Sequence, residues 1–181
     1  MSAASRKPIV RHGTPACLYS ELAVGDELWD AVTATDAHVL LAAAVFNDPG
    51  PNHLNALQAA AGRFGSRIAH GPLVIGIMDG ALGNVLGSTI VALLEQRARF
   101  LNPTHFGDTV ICSWRVTALE DKPRFEGGGI VFLAGEALNE DGTVLAEMDV
   151  TLAVADRPLW DAAAHLKAAR SPDQQERHSK R

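Results

Sequence analysis

The sequence predicts an α+β fold in which an antiparallel sheet wraps around one long central helix. Three observations carry that expectation. Helical periodicities come first and strand-like runs later, the order of an α+β domain rather than of alternating α/β units. The strand-like runs are joined by connections of hairpin length, which implies antiparallel pairing. Finally, the run from Gly71 to Gly87 is apolar around most of a helical circumference and carries Gly76, Gly80 and Gly83. Glycine is costly inside an exposed helix, so this concentration predicts that another backbone passes close by.

Taken in order, residues 1–16 are polar and without period, and read as a mobile N-terminal arm. Residues 17–157 form the domain. Val24-Gly25-Asp26 signals a turn into a short strand. Thr35 or Asp36 caps a helix whose apolar face is Val39, Leu40, Ala43, Ala44 and Phe46. That helix ends in the Asp48–His53 loop. Pro49 and Pro51 bias Asp48 and Gly50 to extended backbone, which is expected to keep the loop from collapsing into a helix. Asn55 caps a short alanine-rich helix that stops near Gly62. The long helix opens at Gly71-Pro72, with proline in a favoured first-turn position. Leu73, Val74, Ile77, Met78, Ala81, Leu82, Val85 and Leu86 recur along it at three- and four-residue spacing. Four strands follow, over Ile90–Leu101, Asp108–Leu119, Gly129–Leu138 and Thr143–Ala155, with Asn139-Glu140-Asp141-Gly142 as a hairpin signal. Residues 158–181 read as a short helix over Asp161–Ala169 and a disordered polar tail.

A chain of 181 residues, 47% hydrophobic, is long enough to bury a proper core. Its net charge of −5 gives no basis for nucleic-acid binding. Cys17 and Cys112 lack metal-ligand spacing and read as inert core thiols. The N-terminus has no apolar signal region, so the cytoplasm is the expected compartment. Pro72 to Leu94 has the length of a bilayer span, but Asp79 and the Gly87-Ser88-Thr89 break argue against one.

The chemistry concentrates between Val45 and Leu73. Asp48 and His53 stand five residues apart, a carboxylate and an imidazole able to hold one water and move its protons. His70-Gly71-Pro72 follows. At this helix start the Gly71 N–H is the natural donor to a developing oxyanion, because Pro72 has no N–H to compete. An acid–base pair beside a helix N-terminus suits addition or removal of water next to a carbonyl. His70 reads as a packing or loop-orienting residue, and is grouped with Gly71 and Asp79 as a candidate substrate contact. Asp79 either supports the central helix or touches substrate. His105 and Asp108 shape a turn.

Three motifs resemble the MaoC family of acyl-thioester dehydratases and (R)-specific enoyl-CoA hydratases over roughly residues 18–155. Asp48, Pro51, His53 and Ala59 match the family's hydratase motif. Ala69-His70-Gly71-Pro72-Leu73 matches its A-H-G-M-L element, and Phe100 to Thr109, FLNPTHFGDT, matches its F-x-x-P-v-x-x-G-D-t element. The resemblance implies a hot-dog fold, Asp48 and His53 as catalytic residues, and an acyl-CoA or acyl-carrier thioester as substrate. It also implies a homodimer or higher homo-oligomer that shares a substrate tunnel, and a role in fatty-acid metabolism. No cofactor and no metal are expected. The chain departs from the pattern at Phe46-Asn47, at Gly50, at Asn55, and at Asp79, where a serine is common. Two other readings stay open: a hot-dog thioesterase using Asp79 as base or nucleophile, and a non-catalytic acyl-thioester-binding subunit with a decayed motif.

Overall fold

Among the described residues, five strands pair in the order β1-β3-β4-β5-β2, every contact antiparallel. They are β1 (Glu27–Thr33), β2 (Ile90–Phe100), β3 (Thr109–Asp121), β4 (Gly129–Leu138) and β5 (Val144–Val154). Between β1 and β2 lie α1 (Asp36–Phe46), α2 (Pro51–Leu54), α3 (Ala56–Ala61) and α4 (Gly71–Leu86). This computed structural model describes residues 17–160. The N-terminal arm, the Asp161–Ala169 helix and the polar tail all lie outside the described residues.

The core forms where the inner face of the sheet meets α4. Val74, Ile77, Met78, Ala81, Leu82, Val85 and Leu86 are buried on one side of the helix, as their spacing requires. They pack among Trp114, Val116, Val131, Leu133, Met148, Val150 and Leu152, the inward-facing residues of the three central strands. Each large apolar side chain buried this way contributes about 1.5–3 kcal/mol. Trp114 is fully enclosed, and its indole N–H donates to the Met78 carbonyl at 3.2 Å. Gly135 makes room for that ring: a Cβ there would stand 2.4 Å from Trp114 Cε3. Cys17 and Cys112 are buried, and burial pushes the Cys112 thiol up to about 12.

Two expectations are corrected. Among the described residues, a Cβ at Gly76, Gly80 or Gly83 meets nothing within 4 Å, and all three glycines are exposed. The sheet covers one side of α4 only, and the glycines line the other. The close approach falls instead at the first helical residue, where a Cβ on Gly71 would stand 2.9 Å from Phe100 Cζ. Second, the Asp48–His53 loop does contain a helical turn, α2, which begins at Pro51. Each proline restricts the residue before it, so Pro51 sits comfortably as a first helical residue and leaves Asn52 and His53 free to coil.

Among the described residues, β1 and β2 are the sheet edges. Along β2 the pairing with β5 skips Val91 and Leu94, two local bulges, and Leu93, Leu94 and Phe100 are exposed. No helix among the described residues is long and apolar enough to cross a membrane.

Candidate active site

Asp48 is set in place by the way α1 stops. Asn47 adopts a left-handed conformation, φ 52° and ψ 40°, one that asparagine tolerates better than most side chains. The chain thereby turns out of the helix, with the Asp48 N–H donating to Ala43 O at 3.0 Å. The Asp48 Oδ1 accepts from the Gly50 N–H at 3.1 Å, a local turn that orients the carboxylate.

His53 sits on α2. Its Nδ1 lies 2.8 Å from the Ile68 carbonyl oxygen, which can only accept, so Nδ1 carries the proton. In the neutral ring the lone pair is therefore on Nε2, and this atom stands 3.8 Å from Asp48 Oδ2. That separation exceeds a hydrogen bond, so both atoms can take a third partner. Asp48 is about half exposed and His53 mostly buried, with side-chain exposures of 53% and 15%. The 62–69 segment that supplies Ile68 is held on both sides. Ile68 N–H donates to Asn52 O at 3.0 Å, and Ala69 N–H to Thr104 O at 2.8 Å. His105 and Asp108 shape the neighbouring turn, with the His105 N–H donating to Asp108 Oδ2 at 2.8 Å.

His70, the residue before α4, is 2% exposed. Its Nε2–H donates to the Asp48 main-chain oxygen at 2.9 Å. Its ring stacks on that of His53, with centroids 3.7 Å apart and planes 22° from parallel. The Phe46 ring meets it edge-on at 5.9 Å. Gly71 then opens α4, where backbone N–H groups begin without intrahelical partners. A cavity of about 640 Å3 adjoins it, lined by Arg63, Ile68, Gly71, Val74, Phe100 and Leu145 among others.

The structure thus gathers Asp48, His53 and His70, with Gly71 next in the chain. It leaves Asp79 apart, eight residues along α4 and so about 12 Å further down the helix axis. There both Asp79 oxygens accept from Gln96 Nε2, at 3.1 and 3.0 Å, and burial raises the carboxyl pKa above its ordinary value. Another hollow, of about 530 Å3, lies on the outer face of the sheet. There Arg97, Arg99 and Arg115 are matched by Glu136, Glu147 and Asp149, a charge-balanced surface without an acid–base pair.

Asp48, His53 and His70 offer ligand atoms within 4.8 Å of one another, a donor set that a metal ion accepts. Their arrangement fits proton transfer better. Stacked imidazoles send their in-plane lone pairs side by side rather than toward one point, and one nitrogen of each ring is already engaged by a carbonyl.

The departures from the family pattern have local reasons. Asn47 supplies the left-handed exit, and Asn55 caps α3 by accepting from Gln58 N–H at 3.1 Å. A Cβ at Gly50 would stand 3.0 Å from Asp48 Oδ1 and 3.4 Å from His53 Cδ2, so glycine keeps the pair uncrowded. Phe46 packs on His70. Sequence reasoning did not foresee the Ile68 carbonyl, because a main-chain acceptor leaves no mark in the side-chain pattern. Phe100 was visible as part of a motif, but its position over Gly71 depends on strand pairing.

Comparison with known proteins places these observations in a family. A family model described as "MaoC like domain" matches residues 23–127. An (R)-specific enoyl-CoA hydratase of Rhodospirillum rubrum is 30% identical over 107 residues, which cover 59% of this chain and 74% of that protein. Another, from Aeromonas caviae, is 36% identical over 110 residues, covering 56% and 82% respectively. Among solved structures, the unliganded R-hydratase PhaJ1 from Pseudomonas aeruginosa superposes with a TM-score of 0.69 at 30% identity, over 78% of this chain and 88% of that one.

Proposed function

The chain belongs to the MaoC-like family, and from that premise we propose that it adds water to, or removes it from, the C2=C3 bond of a 2-enoyl thioester, with Asp48 and His53 as the acid–base pair. The observation that carries this reading is the protonation pattern of His53. With Nδ1–H held by the Ile68 carbonyl, the neutral ring and the ionised Asp48 present two acceptors 3.8 Å apart. A water donating one O–H to each keeps an oxygen lone pair free to attack C3. As the new C–O bond forms, one water proton passes to His53 Nε2 and the C2=C3 π electrons move toward the thioester oxygen. The imidazolium, stabilised by the Asp48 carboxylate, then returns its proton to C2. The Gly71 N–H, aided by the N-terminal dipole of α4, holds the enolate oxygen, a contribution typically worth about 3–4 kcal/mol. Dehydration runs the same steps in reverse.

Several finer assignments belong to the same reading. The substrate is an acyl-CoA or acyl-carrier thioester of fatty-acid metabolism, handled in the cytoplasm. Asp79, bonded to Gln96, supports α4 or touches the substrate, and takes no part in the chemistry. The working unit is a homodimer. In support, among the described residues β2 is a sheet edge exposing Leu93 and Leu94, and the outer side of α4 exposes Gly76, Gly80 and Gly83, so a second copy can pair with the edge and cover the helix.

The test is turnover of a short trans-2-enoyl-CoA, followed as loss of the conjugated thioester absorbance without release of free thiol. Thiol release would support the thioesterase reading instead. Binding without turnover at any chain length would support the binding-subunit reading.

A further inference from the structure

We propose that His70 is the positioning residue of this site, a single buried ring that sets both members of the acid–base pair without itself touching substrate. The inference rests on the hydratase reading above and deepens it. Four observations converge on the ring. The His70 Nε2–H donates to the main-chain oxygen of Asp48 at 2.9 Å, so it fixes the backbone that carries the carboxylate. Its face lies against His53 at 3.7 Å, which leaves that imidazole one plane in which to sit. It is 2% exposed, behind the pair rather than in front of it. Its Nδ1, buried and without a hydrogen-bond partner among the described residues, is a polar atom retained where an apolar ring would pack at lower cost.

Together these contacts account for the 3.8 Å gap. The Asp48 carboxylate has two anchors, the Gly50 N–H on Oδ1 and the His70 N–H on the main-chain oxygen, which leave Oδ2 toward His53. His53 also has two, the Ile68 carbonyl on Nδ1 and the His70 ring on its face. Remove His70 and each partner keeps one anchor and gains a hinge. Two acceptors that must share one water tolerate little drift, and a misplacement of about 1 Å is worth roughly 100-fold in rate.

The two tasks can be separated. His70→Phe keeps a flat ring for stacking and loses the N–H. His70→Gln keeps an N–H near the place of Nε2 and loses the ring. With a short trans-2-enoyl-CoA, His70→Phe is expected to lower kcat by about 10- to 100-fold. KM should stay within about threefold, because no substrate contact is lost. His70→Gln should recover kcat to within about tenfold of the wild type. Because His70 works through the pair, adding His70→Phe to Asp48→Asn should cost no more than about twofold beyond Asp48→Asn alone.

The tether itself is read without turnover, from the ring 15N shifts. His70 should carry its proton on Nε2 and His53 on Nδ1. Proton on His70 Nδ1 overturns the tether whatever the enzyme does. Wild-type kcat in both variants, a loss confined to KM, or a full additional loss in the Asp48→Asn background overturns the positioning role. Should His70→Phe fail to fold, His70→Gln and the 15N shifts decide it. An inactive wild type sinks the hydratase reading and this role in it, while leaving the tether to stand or fall by the shifts.

Discussion

Replacing Asp48 by asparagine tests the pair most directly. The amide keeps the carboxylate's volume and its acceptor to the Gly50 N–H, so the Asp48 turn should survive. What disappears is a negative charge 3.8 Å from the nitrogen that becomes cationic as water adds. Two unit charges at that distance interact by about 4 kcal/mol at an effective dielectric of 20, and by about 1 kcal/mol in water. Asp48 is 53% exposed, which places its interaction between those limits, at about 2–3 kcal/mol. The electrostatic part alone therefore predicts a fall in kcat of roughly 30- to 150-fold. Loss of one proton acceptor carries the effect further, toward the 100- to 10,000-fold that acid–base groups usually supply. The assay is enoyl-CoA absorbance under saturating substrate, with thermal unfolding as the control for fold. His53→Ala should be comparably damaging, and the double variant little worse than either single one, since both groups serve one water. An Asp48→Asn enzyme that keeps a third or more of wild-type kcat would refute the reasoning.

Four further outcomes are expected. Asp79→Asn should retain substantial hydratase activity, and loss of activity there with a harmless Asp48→Asn would move the site onto α4. In the folded protein burial raises the Asp79 pKa above its ordinary 3.8, so ionised Asp79 costs stability at neutral pH and the cost is relieved as pH falls through the raised value. Asp79→Asn should therefore raise Tm at pH 7 by more than it does near pH 4, and an equal or larger gain at the lower pH contradicts the argument. Gly135→Ala forces a methyl to within 2.4 Å of a buried indole and should cost about 1–3 kcal/mol, seen as a lower midpoint in denaturant; an unchanged midpoint contradicts the packing. Exhaustive chelation should leave turnover intact, because the acid–base pair needs no metal; activity lost to chelation and restored by zinc would convert Asp48, His53 and His70 into a metal centre.

The parts of the fold legible in the sequence are those written in local periodicity. The three- and four-residue spacing from Leu73 to Leu86 predicted both α4 and its buried face. Asn139-Glu140-Asp141-Gly142 marked the β4–β5 turn, and Gly142 does adopt φ +78°. The Asp48–His53 spacing marked the pair. What escaped depends on contacts distant in sequence. Glycines at 76, 80 and 83 predict a close neighbour only if one knows which side of α4 the sheet covers, and strand order is not a local property. For the same reason the run Ile90–Leu101 is legible as a strand, while its place at a sheet edge, with most residues of β2 exposed, is not. The helical turn at Pro51 is hidden because a proline restricts the residue before it and leaves those after it free to be helical.

The two bulges of β2 also decide where this chain can change length. Of the eleven residues in that strand, Val91 and Leu94 are passed over by the pairing with β5. Deleting Leu94 would leave Leu93 opposite Leu152 and Glu95 opposite Thr151, an uninterrupted ladder that has lost only some local twist. Deleting Gln96 instead would slip everything on one side of the cut by a residue and turn it over. If the far half slipped, Phe100 would swing away from Gly71. Single-residue losses between homologous chains should therefore collect at positions 91 and 94, which leave the Phe100 end of the strand against Gly71.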